Sequence, residues 1–288
     1  MSAEILYRGY DRTGLDTQYN ARAAVPEHVE HVERWQREGR VTLQAHPHKL
    51  DIAYGPNVAE KLDVFPAGNA APVQVYIHGG YWMSRDKADF RFLANTFVPA
   101  GAAFVPINYA LIPSVNMDEL VRQCRAALAW VFRHAASFGG NPERIYISGH
   151  SAGGHLVAMM MTTDWAKFAG LPQDLVKGGC AISGIYDLEP IPLCYLHGTL
   201  RLSAGEVERN SPAWLTARSH NPLIVAYGEL ESDEFRRQSG EFANAWREQR
   251  VDCQLIPCPA KNHFTIVDHF ADRANPLGQA VMTQMGLG

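Results

Sequence analysis

The sequence predicts an α/β fold, with a mostly parallel central sheet and helices on both faces. Three observations carry this. Apolar runs of strand length alternate with amphipathic helical stretches through most of the chain. One run, ISGHSAGGH, ends as a strand and restarts at once as a helix. The 288 residues are 47% hydrophobic, enough to bury one large core, so residues 1–288 read as a single domain.

In chain order, residues 16–40 read as an N-terminal helical extension, with a helix over 27–38. KLDIAYG and KLDVFPAG alternate apolar and polar residues, as antiparallel edge strands joined by a turn do. VQVYIHGG is a buried strand. Residues 86–100 form a helix stopped by Gly101, and AAFVPINY is a strand. MDELVRQCRAALAWVFRHAASFGG is the clearest amphipathic helix, with acids in its first turn and glycines after its last. RIYISGHS is a strand and AGGHLVAMMMTT a mostly buried helix. KGGCAISGIYD and PLIVAYGE fit buried strands, and DEFRRQSGEFANAWREQR is an amphipathic helix. VDCQLIPCP is a strand, and the segment from HFTIVDHF onward is mainly helical. Residues 188–215, rich in Pro, Leu and aromatics, interrupt the alternation and suggest a cap over the strand C-termini.

Composition excludes several functions. The net charge is -4 and no basic run occurs, which argues against nucleic acid or an anionic membrane as partner. No apolar stretch is long enough to span a bilayer, and the first residues lack the pattern of a secretory signal. Five cysteines, Cys124, Cys180, Cys194, Cys253 and Cys258, form no C-x-x-C pair, so neither a disulfide framework nor structural zinc is expected. A cytoplasmic location is the expectation. His46 and His48 have no carboxylate at ligand spacing, so no metal is expected. No phosphate-binding or dinucleotide fingerprint occurs, so no cofactor is expected.

Gly149-His150-Ser151-Ala152-Gly153 is a G-x-S-x-G between strand and helix. There it forms a nucleophile elbow: a strained turn lifts the serine hydroxyl above the sheet, and glycines two residues away on each side avoid a clash. Acyl transfer also needs backbone amides aimed where the carbonyl oxygen becomes negative. His78-Gly79-Gly80-Tyr81 ends a strand seventy residues earlier and can supply them. The expected donors are the amides of Gly80, Tyr81 and Ala152, with His78 structural. Triads on this scaffold run serine, acid, histidine along the chain. Glu229, Glu231, Asp233 and Glu234 follow one late strand; Glu231 is the first choice and Asp233 the second. His263 follows the last strand, while His269 and His155 read as packing residues. Ser151 then attacks, His263 carries the proton, and Glu231 orients the imidazole.

These residues resemble the α/β-hydrolase fold, and more narrowly its arylformamidase (kynurenine formamidase) type near the hormone-sensitive-lipase-like esterases. The resemblance rests on QYNARAAVP, YGPNVAEKLDVFPAG, HGGYW, GHSAGGHLVAM, SGIYDLEP, GELESDEFRRQS and NHFTIVDHF, covering nearly the whole chain. It implies hydrolysis of N-formylkynurenine or a similar N-acyl arylamine, as in tryptophan catabolism, with water as co-substrate and no metal. It aligns the family's catalytic Asp with Glu231, a departure that triad chemistry accepts. Tyr81 and Trp82 are expected to wall an aryl pocket, helped by Tyr186, Tyr195, Trp214 or Phe264. The alternatives are a carboxylesterase for small-acyl aryl esters and an inactive binding protein on the same scaffold. A homodimer is a candidate assembly.

Overall fold

A computed structural model describes residues 4–288. Its eight strands are β1 (Lys49–Ala53), β2 (Lys61–Val64), β3 (Ala71–Ile77), β4 (Ala103–Ile107), β5 (Gly140–His150), β6 (Val176–Ile182), β7 (Leu223–Gly228) and β8 (Cys253–Cys258). They form one sheet in the order β1-β2-β4-β3-β5-β6-β7-β8. The β1–β2 and β2–β4 pairs are antiparallel, and the pairs from β4–β3 to β7–β8 are parallel. The alternation read from the sequence therefore gives the sheet, including its antiparallel edge.

Strand periodicity divides the core between the two faces. Val73, Val75 and Ile77 pack on one side with the Met117–His134 and Ala152–Met161 helices. Tyr76, Phe104, Ile182 and Ile224 pack on the other side with the C-terminal helices. Both faces of β3 are buried, which is why it reads as a continuous apolar run.

Three segments differ from the sequence reading. The N-terminal helix runs His28–Ala45 rather than 27–38, preceded by short helices Arg12–Tyr19 and Ala21–Ala24. Its buried stripe of Val32, Trp35, Gly39 and Thr42 extends past residue 38 and continues the helix. Residues 86–100 are not one helix: a 3₁₀ segment Lys87–Leu93 precedes a single α-turn Ala94–Phe97. Lys87, Asp89, Phe90, Phe92 and Leu93 are all buried, so this segment has no exposed stripe to fit α-helical spacing. Residues 188–215 hold two short helices and two 3₁₀ turns beside the sheet, tied down by buried Leu188, Ile191, Leu196 and Leu200.

The chain leaving β3 is pinned at its far end. Lys87 Nζ lies 2.8 Å from Asp51 and 2.9 Å from Asp63, and Asp63 also pairs with Arg91 at 2.8 Å. The Lys87 amide donates to Asn108 Oδ1 at 2.6 Å. Among the described residues no helix is long and apolar enough to cross a membrane.

Lys87→Met leaves the fully buried Asp63 with Arg91 as its only cationic partner among the described residues. Urea unfolding should show a loss of about 2–4 kcal/mol. A loss below about 0.5 kcal/mol, as for an ordinary surface site, contradicts this account of the anchor.

Candidate active site

β5 runs straight into the Ala152–Met161 helix, and Ser151 stands at the junction with φ +59° and ψ -121°. A non-glycine residue at positive φ is strained by about 1–2 kcal/mol. Packing enforces the turn. A Cβ on Gly153 would meet the Ile77 carbonyl oxygen at 2.0 Å, and one on Gly149 would meet the Gly153 oxygen at 2.4 Å. Only glycine fits these positions, so the end of β3 comes into contact with the elbow. The Ser151 amide donates to Ile182 O at 2.8 Å, fixing the elbow to β6 as well.

His263 follows β8, and its Nε2 lies 3.0 Å from Ser151 Oγ. Its Nδ1 bonds Glu231 Oε1. Glu231 lies three residues past the end of β7, with its side chain fully buried. Its other oxygen accepts from Ser183 Oγ at 2.9 Å and from the Gly228 amide at 2.7 Å. One carboxylate oxygen is thus held by the protein while the other faces the imidazole. Asp233 stands apart: its side chain is exposed and pairs with Arg236. Glu234 turns away, accepting from the Tyr19 hydroxyl at 2.8 Å and pairing with Arg237 at 2.7 Å. The geometry brings together Ser151, His263 and Glu231, and it excludes Asp233 from the imidazole.

The loop after β3 borders the same cavity through Gly79, Gly80 and Tyr81. Among the described residues the Gly80 and Tyr81 amides meet no acceptor. Ala152 is the first residue of its helix, so its amide has no acceptor within that helix. Gly80, Tyr81 and Trp82 have φ of +109°, +50° and +57° in succession. This run is held from both sides. The Tyr81 hydroxyl donates to Tyr19 O. The Trp82 indole N–H donates to His155 Nδ1 at 3.1 Å, and His155 Nε2 bonds Asn210 O at 2.7 Å. The Trp82 carbonyl accepts the Ile112 amide at 2.9 Å.

Trp82 is therefore not a wall of the pocket, contrary to the sequence expectation. It is completely buried and packs edge-on against His155, with ring centroids 5.0 Å apart. The cavity beside Ser151 is narrow, about 40 Å³, and its aromatic lining is Trp35, Tyr81, Phe90 and Phe264. Of the aromatics expected there, Tyr81 and Phe264 are present. Tyr186 is buried against Phe242, and Trp214 stays exposed outside. Residues 188–215 contribute nothing to this lining; the N-terminal extension supplies Ala21, Arg22 and Trp35 instead. The expected cap is thus displaced, because its apolar side chains pack into the core beside the sheet. No motif marks Trp35, Arg22, Arg85 or Phe90 as lining; they are remote from Ser151 in sequence and reach it only through the fold.

Burial lowers the pKa of three histidines near the site. His155 falls to about 4, and His78 and His150 also fall below the ordinary 6.5, each mainly through desolvation. His78 is structural as expected: its Nδ1 bonds Gly79 O at 2.8 Å and its ring stacks on Tyr109 at 4.3 Å. His46 and His48 bond Asn95 and the His46 carbonyl.

Comparisons with known proteins bear on the family and the fold. The BD-FAE family pattern matches residues 62–188. A kynurenine formamidase from Salmo salar is 31% identical over 295 residues, covering 99% of this chain and 97% of that protein. A crystallised protein from Silicibacter, provisionally named a thioesterase, superposes with a TM-score of 0.82 at 26% identity, covering 93% of this chain and 98% of its own. An esterase from Pyrobaculum calidifontis gives a TM-score of 0.67 at 17% identity, covering 92% of this chain and 95% of its own. The fold is the α/β-hydrolase fold.

Two predictions follow from the site. Glu231→Gln should lower kcat/KM by about 10³- to 10⁴-fold, while Asp233→Asn stays within about twofold. Steady-state assays of both variants check this, and equal losses would remove Glu231 from its assigned role. The second concerns acid stability. Below pH 6.5 the unfolded chain takes up protons on His78, His150 and His155 that the folded chain resists. Stability is complete above pH 6.5 and is lost as pH falls toward 4, by on the order of 3 kcal/mol for His155 alone. Urea unfolding at pH 7 and pH 5 should show the drop; a pH-independent midpoint counts against it.

Proposed function

Because the chain belongs to the kynurenine formamidase family of α/β-hydrolases, we propose that it cleaves the amide of an N-formyl or small N-acyl arylamine, such as N-formylkynurenine. The observation that carries this is the Ser151–His263–Glu231 chain opening into a narrow, aromatic-lined cavity. Its small volume suits a small acyl group, and its rings suit a flat aryl group.

Ser151 Oγ attacks the formyl carbon as its proton passes to His263 Nε2, and Glu231 stabilises the imidazolium. The carbonyl oxygen becomes an oxyanion bound by the amides of Gly80, Tyr81 and Ala152. Their alignment costs no reorganisation during the reaction, because the loop is already fixed by Tyr19, His155 and Ile112. On collapse the C–N bond breaks, and His263 returns its proton to the departing arylamine nitrogen. Water then attacks the formyl-serine, losing its proton to His263. The ester C–O bond breaks, formate leaves, and the proton returns to Ser151.

The same steps cleave an aryl ester, and the likeness to esterases of this fold favours that as the second reading. Comparing kcat/KM for N-formylkynurenine, other N-acyl arylamines and 4-nitrophenyl acetate decides between them. N-formylkynurenine is expected to lead, and a clear lead for the ester overturns the formamidase reading. An organophosphate should label Ser151 stoichiometrically. A folded but unlabelled protein would favour a binding role without chemistry.

A further inference from the structure

Arg85 has no role in the chemistry above, yet it lines the cavity with Ser151, Gly80 and His263. It is a partly buried guanidinium, and among the described residues it makes no hydrogen bond or ion pair; Asp89 acts on it only at a distance. Burial lowers its pKa, and nearby Arg22 adds to that effect. An unpaired cation withdrawn from water is costly unless it has a partner. Its stem is fixed against the oxyanion loop, since a Cβ on Gly80 would lie 2.8 Å from Arg85 Cγ.

Arg22 approaches the same place from the N-terminal extension. Its Nη2 donates to Ser84 Oγ at 2.8 Å, and Ser84 Oγ donates to Gly80 O at 2.9 Å. Both arginines also border an outer groove of about 480 Å³, so they stand between it and the cavity. That groove carries three acids, Glu33, Asp86 and Asp89. Asp86 is occupied by the Ala88 amide and Asn108, whereas one oxygen of Asp89 is held by Gln36 and the other accepts no hydrogen bond among the described residues. Two cations next to the reacting serine, with acids farther out, form a two-sign surface. A zwitterion matches it better than a simple anion or a neutral chain does.

We propose that Arg85 and Arg22 bind the carboxylate of an α-amino acid head group on the substrate, with its ammonium facing the outer acids. This rests on the aryl formamidase reading, and it makes the arginine pair the determinant of preference for amino-acid-bearing substrates over plain aryl ones. Guanidinium suits the task because its fork matches a carboxylate's two oxygens.

The test compares N-formylkynurenine with 2-formamidoacetophenone, which keeps the aryl ketone and formamide but lacks the head group. The readout is the ratio of their kcat/KM values in wild type, Arg85→Met, Arg85→Lys and Arg22→Met. Arg85→Met should lower the ratio by about 10- to 100-fold, as loss of charge-assisted hydrogen bonds does. Arg85→Lys should recover part of it, and Arg22→Met should show a smaller fall. Since general damage lowers both rates together, an unchanged ratio in Arg85→Met overturns the proposal. A second measurement does not depend on formamide turnover: inhibition of 4-nitrophenyl acetate hydrolysis by kynurenine and by 2-aminoacetophenone. If wild type hydrolyses neither formamide, the formamidase reading fails, while the ratio of inhibition constants still reports on the head-group site. Kynurenine should bind tighter in wild type and lose that advantage in Arg85→Met. Equal inhibition by the two compounds in wild type overturns the proposal by itself.

Discussion

The site depends on one close approach, between the carbonyl of Ile77 at the end of β3 and the backbone of the elbow after β5. A Cβ at Gly153 would sit 2.0 Å from that oxygen, and one at Gly79 would sit 2.6 Å from the His150 oxygen. With side chains at those places the two strand exits would have to separate. The amides after β3 would then leave the neighbourhood of Ser151. Parallel pairing of β3 with β5, with Ile77 opposite Gly149, sets the register that makes the approach possible. Ser151 and the amides of Gly80 and Tyr81 are thus two ends of one packing constraint, although about seventy residues separate them.

A second approach of the same kind places His263 and Glu231. A Cβ on Gly228 would meet Lys261 O at 2.2 Å, and the Leu230 amide donates to that carbonyl at 3.0 Å. The loop leaving β7 is therefore tied to the loop that carries His263. The longer Glu side chain fits because the chain turns back at once, with the Glu231 amide bonded to Gly228 O at 3.0 Å. That turn directs one carboxylate oxygen to the Gly228 amide and Ser183 and leaves the other for the imidazole. The second-choice acid, Asp233, fails for a local reason: it opens the next helix, where its side chain points to solvent and Arg236.

The parts legible in the sequence are those written in local spacing. Alternating strands and helices gave the sheet, and the antiparallel edge was readable because KLDIAYG and KLDVFPAG alternate. That Ser151, Glu231 and His263 come together was readable because each follows a strand in the order the fold demands. The direction of Trp82 was not. An aromatic after two glycines at a strand end suggests a pocket wall, but its positive φ turns the indole inward to His155. Sequence does not show a left-handed residue that is not glycine. The 188–215 excursion failed similarly, since its apolar residues were equally suited to covering the site or packing beside the sheet. Trp35 and Arg22 cannot be assigned to the cavity from local pattern, because only the folded N-terminal extension brings them there.

Trp82 and Tyr81 explain why large residues stand where the loop needs bare backbone. Three successive residues at positive φ do not persist unless something else holds them. Tyr81 bonds across to Tyr19, Trp82 to His155, and His155 in turn to Asn210 in the segment beside the sheet. The neutral state of His155 matters here, since Nδ1 can accept from the indole only while it carries no proton. Tyr19 also donates its hydroxyl to Glu234 at the start of the helix after the acid loop. The N-terminal extension is thereby joined to the loop after β3 on one side and to the helix after Glu231 on the other, in one hydrogen-bonded frame. The strain at Tyr81 and Trp82 is offset by bonds made away from the cavity, and among the described residues the amides of Gly80 and Tyr81 beside Ser151 meet no acceptor.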